Sequence, residues 1–142
     1  HFGSTSIPNL PAKPIIDVLV LVKSVADARH DAVPALESLG YAFWYDNPDP
    51  AHLFFVKGLP PNGPRTHHVH IVEADYPDAK LPGFRFADRL RFRDALRADP
   101  HEAARYADLK RRLASQFPDD REAYTDGKGD YVREVMARAK PD

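Results

Sequence analysis

Cysteine is absent from this 142-residue sequence, and methionine and tryptophan each occur once. Without a thiol, the chain can form neither a disulfide nor a cysteine-ligated zinc site. It also lacks an apolar run of about 20 residues, which a membrane-spanning helix needs, and its start does not have the pattern of a secretory signal. We therefore expect a cytoplasmic protein that has no membrane partner.

A strong charge of either sign is also missing, since the formal net charge is -1. Such a chain has little attraction for polyanions, so we expect no nucleic-acid partner. The length suits one hydrophobic core, and we predict a single domain over 1–142. The sequence opens at His1, inside a motif, so we expect a lead-in that it lacks; nothing in it indicates an oligomeric state.

The first part of the chain predicts a strand followed by a helix. Residues 14–22, PIIDVLVLV, are almost continuously apolar, which is typical of a central strand covered on both faces. Ser24 is a suitable N-cap for a helix over 25–39, and Gly40 is a suitable stop. Pro34 predicts a kink or a split in that helix.

The remaining strands and helices follow in two blocks. Residues 41–46 and 52–58 predict a hairpin, and the alternation in 66–74 predicts a further strand. Helical patterns with proline breaks then cover three segments, 84–99, 100–117 and 120–140, and Gly127 and Gly129 can divide the last of them into two pieces around a turn. We predict an α/β (α+β) fold, with a small mixed, mostly antiparallel sheet of about four or five strands packed against helices.

Asp17 is the residue in the first strand that most needs an explanation. Its nearest neighbours in the strand are apolar, so an ionised carboxylate there needs a metal, a cation or a proton as partner. A functional metal or ligand site is one interpretation. A salt bridge to Lys13, or to an arginine of the C-terminal helices, is the structural alternative.

The segment Gly3, Ser4, Thr5 and Ser6 lies just upstream of this strand. Its flexible backbone and hydroxyl groups can approach phosphate oxygens and donate hydrogen bonds to them, and Lys13 adds a positive charge at the start of the strand. The segment matches neither the P-loop nor the dinucleotide glycine pattern, so an ordinary turn or helix cap is the alternative.

Histidines cluster in the last predicted strand, at 67, 68 and 70. His68 and His70 share one strand face and can act together as metal ligands. A zinc site would need a third or fourth ligand, such as Asp17 or His1. Contacts to a phosphate or a base, and a purely structural role, remain open for these histidines.

Five segments stand out as motifs along the chain: HFGSTSIPNLPAKPIID (1–17), RTHHVHIVE (65–73), FRDALRADP (92–100), YADLKRRLA (106–114) and YTDGK (124–128). Together they resemble the GrpB family, a branch of the nucleotidyltransferase superfamily. The resemblance implies a nucleotidyltransferase-like fold in which a Gly-Ser turn holds phosphates and a strand aspartate binds a divalent cation, Mg²⁺ or Mn²⁺. Typical members extend upstream by a helix and a strand that this sequence lacks.

The sequence departs from the superfamily pattern in its acidic residues. A second carboxylate usually follows two residues after the first, and here that position is Leu19. Glu73, the nearest later acid, lies on the opposite strand face from His68 and His70. Mg²⁺ can still bind through one or two protein carboxylates together with phosphate oxygens and waters.

Two basic residues in these motif segments, Arg93 and Lys128, are the best candidates to reach a triphosphate from the side opposite Ser4. The leading hypothesis is a metal-dependent nucleotidyltransferase that uses a nucleoside triphosphate and a small-molecule acceptor. In it, Ser4 and Thr5 hold phosphates, Asp17 binds the metal and His70 completes the site.

Two alternatives remain open. One is a regulatory domain that binds a nucleotide or another phosphorylated ligand without turning it over, and the other is a histidine-based metal-dependent hydrolase.

Overall fold

The structure is a computed structural model that describes residues 1–59, 61 and 63–139. Its strands are β1 (Ile16–Val22), β2 (Tyr41–Phe43), β3 (Leu53–Lys57) and β4 (His67–Glu73). Its α-helices are α1 (Val25–Ser38), α2 (Arg89–Ala98), α3 (Pro100–Gln116), α4 (Arg121–Asp126) and α5 (Gly129–Arg138). Short 3₁₀ turns lie at Ser4–Ser6 and Phe86–Asp88.

The strands form one sheet in the order β1-β4-β3-β2. β1 runs parallel to β4, while β3 is antiparallel to both β4 and β2. The predicted α+β fold with a mixed, mostly antiparallel sheet is therefore confirmed.

The predicted central position of the first strand is wrong, because β1 lies at an edge of the sheet. Ile16, Val20 and Leu21 are 39%, 37% and 44% exposed. Its outer edge receives one antiparallel contact, in which the backbone N–H of Phe2 donates to the carbonyl of Asp17 over 2.9 Å. An apolar run predicts a strand but does not fix the place of that strand in the sheet, which depends on pairing with distant residues.

Helix α1 covers one face of the sheet. Its first residue, Val25, is buried against Leu53, Phe55, Val69 and Ile71 of the sheet. The predicted cap is confirmed, since the hydroxyl of Ser24 accepts the N–H of Asp27. The helix continues through Pro34 instead of splitting there, because its apolar side remains packed on the sheet while Pro34 faces outward.

The C-terminal helices lie on the opposite side of the sheet from α1, and the N-terminal segment is packed between them and β1. Ile7 and Leu10 are buried with Leu96 of α2 and with Tyr106 and Ala107 of α3. This packing places the Ser4–Ser6 turn beside the helices.

The predicted break at Asp99-Pro100 is confirmed, because the Asp99 carboxylate caps the start of α3. The last predicted helix consists of two pieces, α4 and α5, and the end predicted for it at residue 140 lies outside the described residues. No helix in the described part of the chain is long and apolar enough to cross a membrane.

Candidate functional site

Asp17 and His68 form a hydrogen-bonded pair on the sheet face opposite α1. The parallel pairing of β1 and β4 sets the two residues side by side, and Nδ1 of His68 donates to Oδ1 of Asp17 over 3.0 Å. Because an ionised carboxylate can only accept, this bond places a proton on Nδ1, and the tautomer with that single proton has its lone pair on Nε2. Burial raises the pKa of Asp17, and the interaction with His68 opposes that rise.

The partner of Asp17 differs from both structural partners expected from the sequence. The hydrogen-bond partner is His68, and neither Lys13 nor an arginine of the C-terminal helices takes that place. Nε2 of His68 is buried, and it has no hydrogen-bond partner within the described part of the chain. A buried imidazole nitrogen with a free lone pair costs free energy unless something binds it, so this atom is suited to coordinate a ligand.

His70 lies on the same face, two residues along β4, in an aromatic enclosure. The centroids of the Phe2, Phe54 and Phe86 rings are 5.5, 4.7 and 5.3 Å from that of His70. Burial, reinforced by its histidine neighbours, lowers the pKa of His70 to about 3. The ring is therefore neutral at physiological pH, which is the form that binds a metal.

His52, which the sequence analysis did not select, fixes the orientation of His70. Its Nε2 is 2.9 Å from Nδ1 of His70, and the two rings are stacked. Such a bond sets which nitrogen of His70 is left for a ligand. The sequence contained one indication of this role. His52 lies two residues before Phe54, so strand alternation places both on one face, and Phe54 is the residue that pairs with His70.

The side chains of Asp17, His68 and His70 form a cluster suited to a divalent metal. One ligand atom from each lies within 4.8 Å of the others. Two imidazoles and one carboxylate suit Mn²⁺, Zn²⁺ or Fe²⁺ better than Mg²⁺, which prefers oxygen ligands. The unpartnered Nε2 of His68 agrees with this donor set, so the residues present fit a metal. His68 thus joins Asp17 and His70, the two metal ligands proposed from the sequence.

A basic cavity lies on the other side of the Gly3 backbone, between the N-terminal turn and the C-terminal helices. Its lining includes Phe2, Gly3 and Ser4, together with four basic residues: Lys80, Arg89, Arg93 and Lys128. No acidic residue is present in the described lining. The cavity therefore favours an anionic ligand.

The basic residues of the cavity differ in how they are neutralised. Carboxylates hold Lys80, Arg89 and Arg93 in ion pairs. Lys128 instead lies over the Tyr124 ring, 4.3 Å from its centroid, and forms no salt bridge with any described residue. Burial, aided by nearby positive charges of which Lys110 is the largest, lowers the pKa of Lys128 to about 8.

Lys110 is a second partly buried lysine, which is not part of the cavity lining but contacts the N-terminal turn beside it. Its Nζ donates to Oγ of Ser4 and to the carbonyl of Pro11, each over 2.9 Å. Burial lowers the pKa of Lys110 as well. Two amines with lowered pKa values beside one hydroxyl form a positive pocket that an anion would stabilise.

The structure brings some of the predicted phosphate-binding residues together and leaves others apart. Gly3 and Ser4 line the cavity, whereas the hydroxyls of Thr5 and Ser6 donate to the carbonyls of Ile15 and Gly3 within the turn. Lys13 is exposed and does not line the cavity. Thr5, Ser6 and Lys13 thus lie near the cavity without forming its walls.

Arg93 lines the cavity, with its guanidinium bonded to Asp94 and to the carbonyl of His1. Asp17 is not part of the lining. Ser4 and Asp17, which were expected in one site, therefore do not share this cavity; Gly3 lines the cavity, and its backbone also lies against the Asp17 carboxylate.

The position of the second superfamily carboxylate is apolar in space as well as in sequence. Leu19 packs against the buried cluster of Phe2, Val72 and Phe86. Glu73 lies at the other face, where its carboxylate accepts the N–H of Val25 at the start of α1. Asp17 is therefore the one acidic residue in the described metal-ligand cluster.

These features define a mixed α/β domain, consistent with a nucleotidyltransferase-like fold, that carries a candidate metal cluster beside a basic cavity. The family model described as GrpB protein matches residues 1–138. The chain belongs to the GrpB family.

Relatives of known sequence and structure agree with this assignment. UPF0157 protein PA4798 of Pseudomonas aeruginosa is 49% identical over 141 residues, which cover 98% of this chain and 54% of that protein. UPF0157 protein YqkA of Bacillus subtilis is 39% identical over 140 residues, covering 99% of this chain and 38% of that protein. This chain therefore spans about half or less of the length of these two relatives.

A solved structure supports the fold. The crystal structure of conserved protein GrpB from Enterococcus faecalis matches with a TM-score of 0.74 and 34% sequence identity, covering 98% of this chain and 77% of that chain.

Proposed function

We propose that this domain is a metal-dependent nucleotidyltransferase that binds a nucleoside triphosphate and transfers its nucleotidyl group to a small-molecule acceptor. The observation that carries the proposal is the juxtaposition, across Gly3, of a three-ligand metal cluster and a basic cavity. Phosphoryl and nucleotidyl transfer need both elements, because charge at the reacting phosphate must be neutralised and the phosphates must be held in place.

The residues in and beside the cavity have the chemistry to hold phosphates. The Ser4 hydroxyl and the Lys110 ammonium are already in contact, and Lys128 lines the same cavity. A phosphate oxygen at this point would accept hydrogen bonds from these groups and compensate their positive charge. Such charge-assisted bonds are roughly twice as strong as neutral ones.

The metal cluster supplies a second point of attachment. A divalent cation held by Asp17, His68 and His70 would neutralise charge on the phosphates nearest β1. The neutral ring of His70 can serve as a ligand without first losing a proton, and Nε2 of His68 has no hydrogen-bond partner among the described residues that a metal would have to displace.

One observation favours a second candidate, a domain that binds the same ligand without turnover. Leu19 stands where a second carboxylate would share the metal, and it is packed in a buried cluster. A single aspartate provides less negative charge to hold two metals than the usual set of acids does. Binding needs the cavity and one cation, whereas transfer needs a reacting group correctly oriented as well.

The experiment compares melting temperatures with and without ATP and Mn²⁺, and then measures the product released with a panel of small acceptors. A ligand that binds only the native state stabilises it by about 2.7 kcal/mol at 100 times its dissociation constant. Lys128→Met should reduce the shift, while Lys23→Met, which removes an exposed lysine away from the cavity, should not.

The product separates the candidate activities. Release of pyrophosphate supports the transferase, release of inorganic phosphate with water alone supports a hydrolase, and a shift without any product supports the binding domain. The absence of any shift with ATP and Mn²⁺ would contradict the proposed function altogether.

A further inference from the structure

The sheet face that carries the candidate metal ligands continues into an aromatic surface. Phe54 of β3 lies opposite His70 in the sheet register, and the backbone N–H of Trp44 donates to the carbonyl of Phe54 over 3.0 Å. The ring centroids are 4.7 Å apart for His70 and Phe54, and 6.4 Å apart for Phe54 and Trp44. His70 of β4, Phe54 of β3 and Trp44, which directly follows β2, therefore form one row across the sheet.

The neighbouring row, next to Trp44, carries aliphatic side chains. In it, Val56 lies opposite His68 and Ala42 lies opposite Val56. Ala42 is small and exposed, and the Trp44 side of the row is open to solvent, since Trp44 is 49% exposed. Ala42, Trp44 and Phe54 together form an apolar surface against which a flat ring can stack.

The next residue, Tyr45, is also exposed but has a structural role. Its hydroxyl donates to Glu37 of α1 over 3.0 Å, and its ring contacts Phe43 with a centroid distance of 4.8 Å. The side chain of Tyr45 therefore belongs to the α1 side of the sheet. The indole of Trp44 makes an edge contact with Phe54 and has no hydrogen-bond partner among the described residues. Trp44 therefore lacks the kind of structural contact that accounts for Tyr45.

We infer that Trp44 and Phe54 form the stacking surface for the nucleobase of the nucleotide. This inference rests on the proposed function, because it assumes that the phosphates of the same nucleotide occupy the basic cavity. That cavity lies beside β1, at the edge of the sheet opposite to β2 and Trp44. The order across the face is Ser4 beside β1, the metal ligands on β1 and β4, and then Phe54 and Trp44. A nucleotide lying across the strands would place its phosphates, its metal and its base against three surfaces of matching chemistry.

The stacking surface also predicts how the site discriminates among ligands. Every base has a π-face, and stacking on an aromatic ring contributes to affinity without reading hydrogen-bond donors and acceptors. The stacking surface should therefore give nucleotides about tenfold higher affinity than inorganic polyphosphates. Preference among the bases should be weak, with the larger purines bound best.

The test uses the single tryptophan of the chain as its own probe. Tryptophan fluorescence is measured during titration with ATP, GTP and inorganic tripolyphosphate, each in the presence of saturating Mn²⁺, and affinities are measured in parallel by calorimetry. The variants are Trp44→Ala, Trp44→Phe, which keeps a stacking ring, and Tyr45→Ala as the control on the other side of the sheet. Melting temperatures establish that each variant is folded.

The inference predicts that ATP and GTP change the fluorescence and bind about tenfold more tightly than tripolyphosphate. Trp44→Ala should bring ATP to the affinity of tripolyphosphate, Trp44→Phe should restore most of the difference, and Tyr45→Ala should change neither. If ATP and tripolyphosphate bind equally and Trp44→Ala changes neither, the stacking surface is wrong while the phosphate site stands. If neither ligand binds, the proposed function fails and the inference fails with it.

Discussion

A Cβ atom at Gly3 would clash with Oδ2 of Asp17, so the backbone of the N-terminal turn lies directly against the carboxylate. Gly3 has φ 77 and ψ -179, a conformation that is essentially restricted to glycine. Its N-terminal neighbour Phe2 is bonded to the carbonyl of the same aspartate. Gly3 therefore lies between the metal cluster on the sheet and the basic cavity beside the helices.

Gly3→Ala should reduce both the stability of the protein and its affinity for Mn²⁺. The unfavourable backbone conformation costs about 1–3 kcal/mol, and the added methyl group must also displace the Asp17 carboxylate. Gly83→Ala is the matched control, because Gly83 has φ +91 with nothing within 4 Å of the added Cβ. Urea unfolding and Mn²⁺ titration followed by electron paramagnetic resonance measure the two effects. Equal stability losses in both variants, with normal Mn²⁺ binding by Gly3→Ala, would show that the contact with Asp17 is unimportant.

Asp17→Asn should remove the metal-dependent part of the melting shift with ATP and leave the protein folded. The amide nearly preserves the shape of the side chain, but it lacks the charge that a cation needs. Burial already opposes the ionised form of Asp17, so the neutral amide should not destabilise the unliganded protein and can stabilise it. Thermal melting with and without Mn²⁺ is the measurement. An unfolded Asp17→Asn protein would instead make Asp17 a structural partner of His68.

His52→Ala should weaken metal binding by about 10–100-fold, as is typical when a hydrogen-bond partner of a ligating histidine is lost. Without His52, the ring of His70 loses the 2.9 Å bond that orients it. Co²⁺ absorption spectra report the ligand geometry independently of any activity. His30→Ala, at an exposed histidine of α1, is the control for the general loss of an imidazole. An unchanged Co²⁺ spectrum and affinity in His52→Ala would refute this role.

Binding of metal-free tripolyphosphate should weaken as pH rises through the pKa of Lys128. The pKa of about 8 in the folded protein lies below the ordinary value of 10.5. Between these values the unfolded chain holds more protons, so the unliganded protein gains stability as pH rises through that window. An anion favours the protonated amine, so the melting shift that it produces should decrease over the same window.

In Lys128→Met, tripolyphosphate should raise the melting temperature less at neutral pH, and this increase should depend less on pH. The pH dependence that remains is expected to come from Lys110, whose pKa is also lowered. A wild-type shift that is independent of pH between about 7 and 9 would contradict the assignment of Lys128 to the phosphate site.

The sequence predicted the strands and helices well because their signals are local. The Ser24 cap, the Asp99-Pro100 break and the alternation of His68 and His70 with Val69 and Ile71 all depend on neighbours in the chain. The edge position of β1 did not follow from the sequence, because its apolar run is compatible with a central strand.

The missed parts of the site depend on contacts between distant segments. His52 reaches His70 only through the β3–β4 register, and Lys110 reaches Ser4 across 106 residues of sequence. Thr5 and Ser6 were expected to contact phosphates, but nothing in their local sequence showed that their hydroxyls would close the turn.

Anomalous diffraction from crystals soaked with ATP and Mn²⁺ tests the central claim most directly, because it locates the metal and the phosphates at once. The account predicts a manganese peak among Asp17, His68 and His70, with phosphate density beside Ser4 and Lys128. A manganese peak at another site, or phosphates bound away from this cavity, would contradict it.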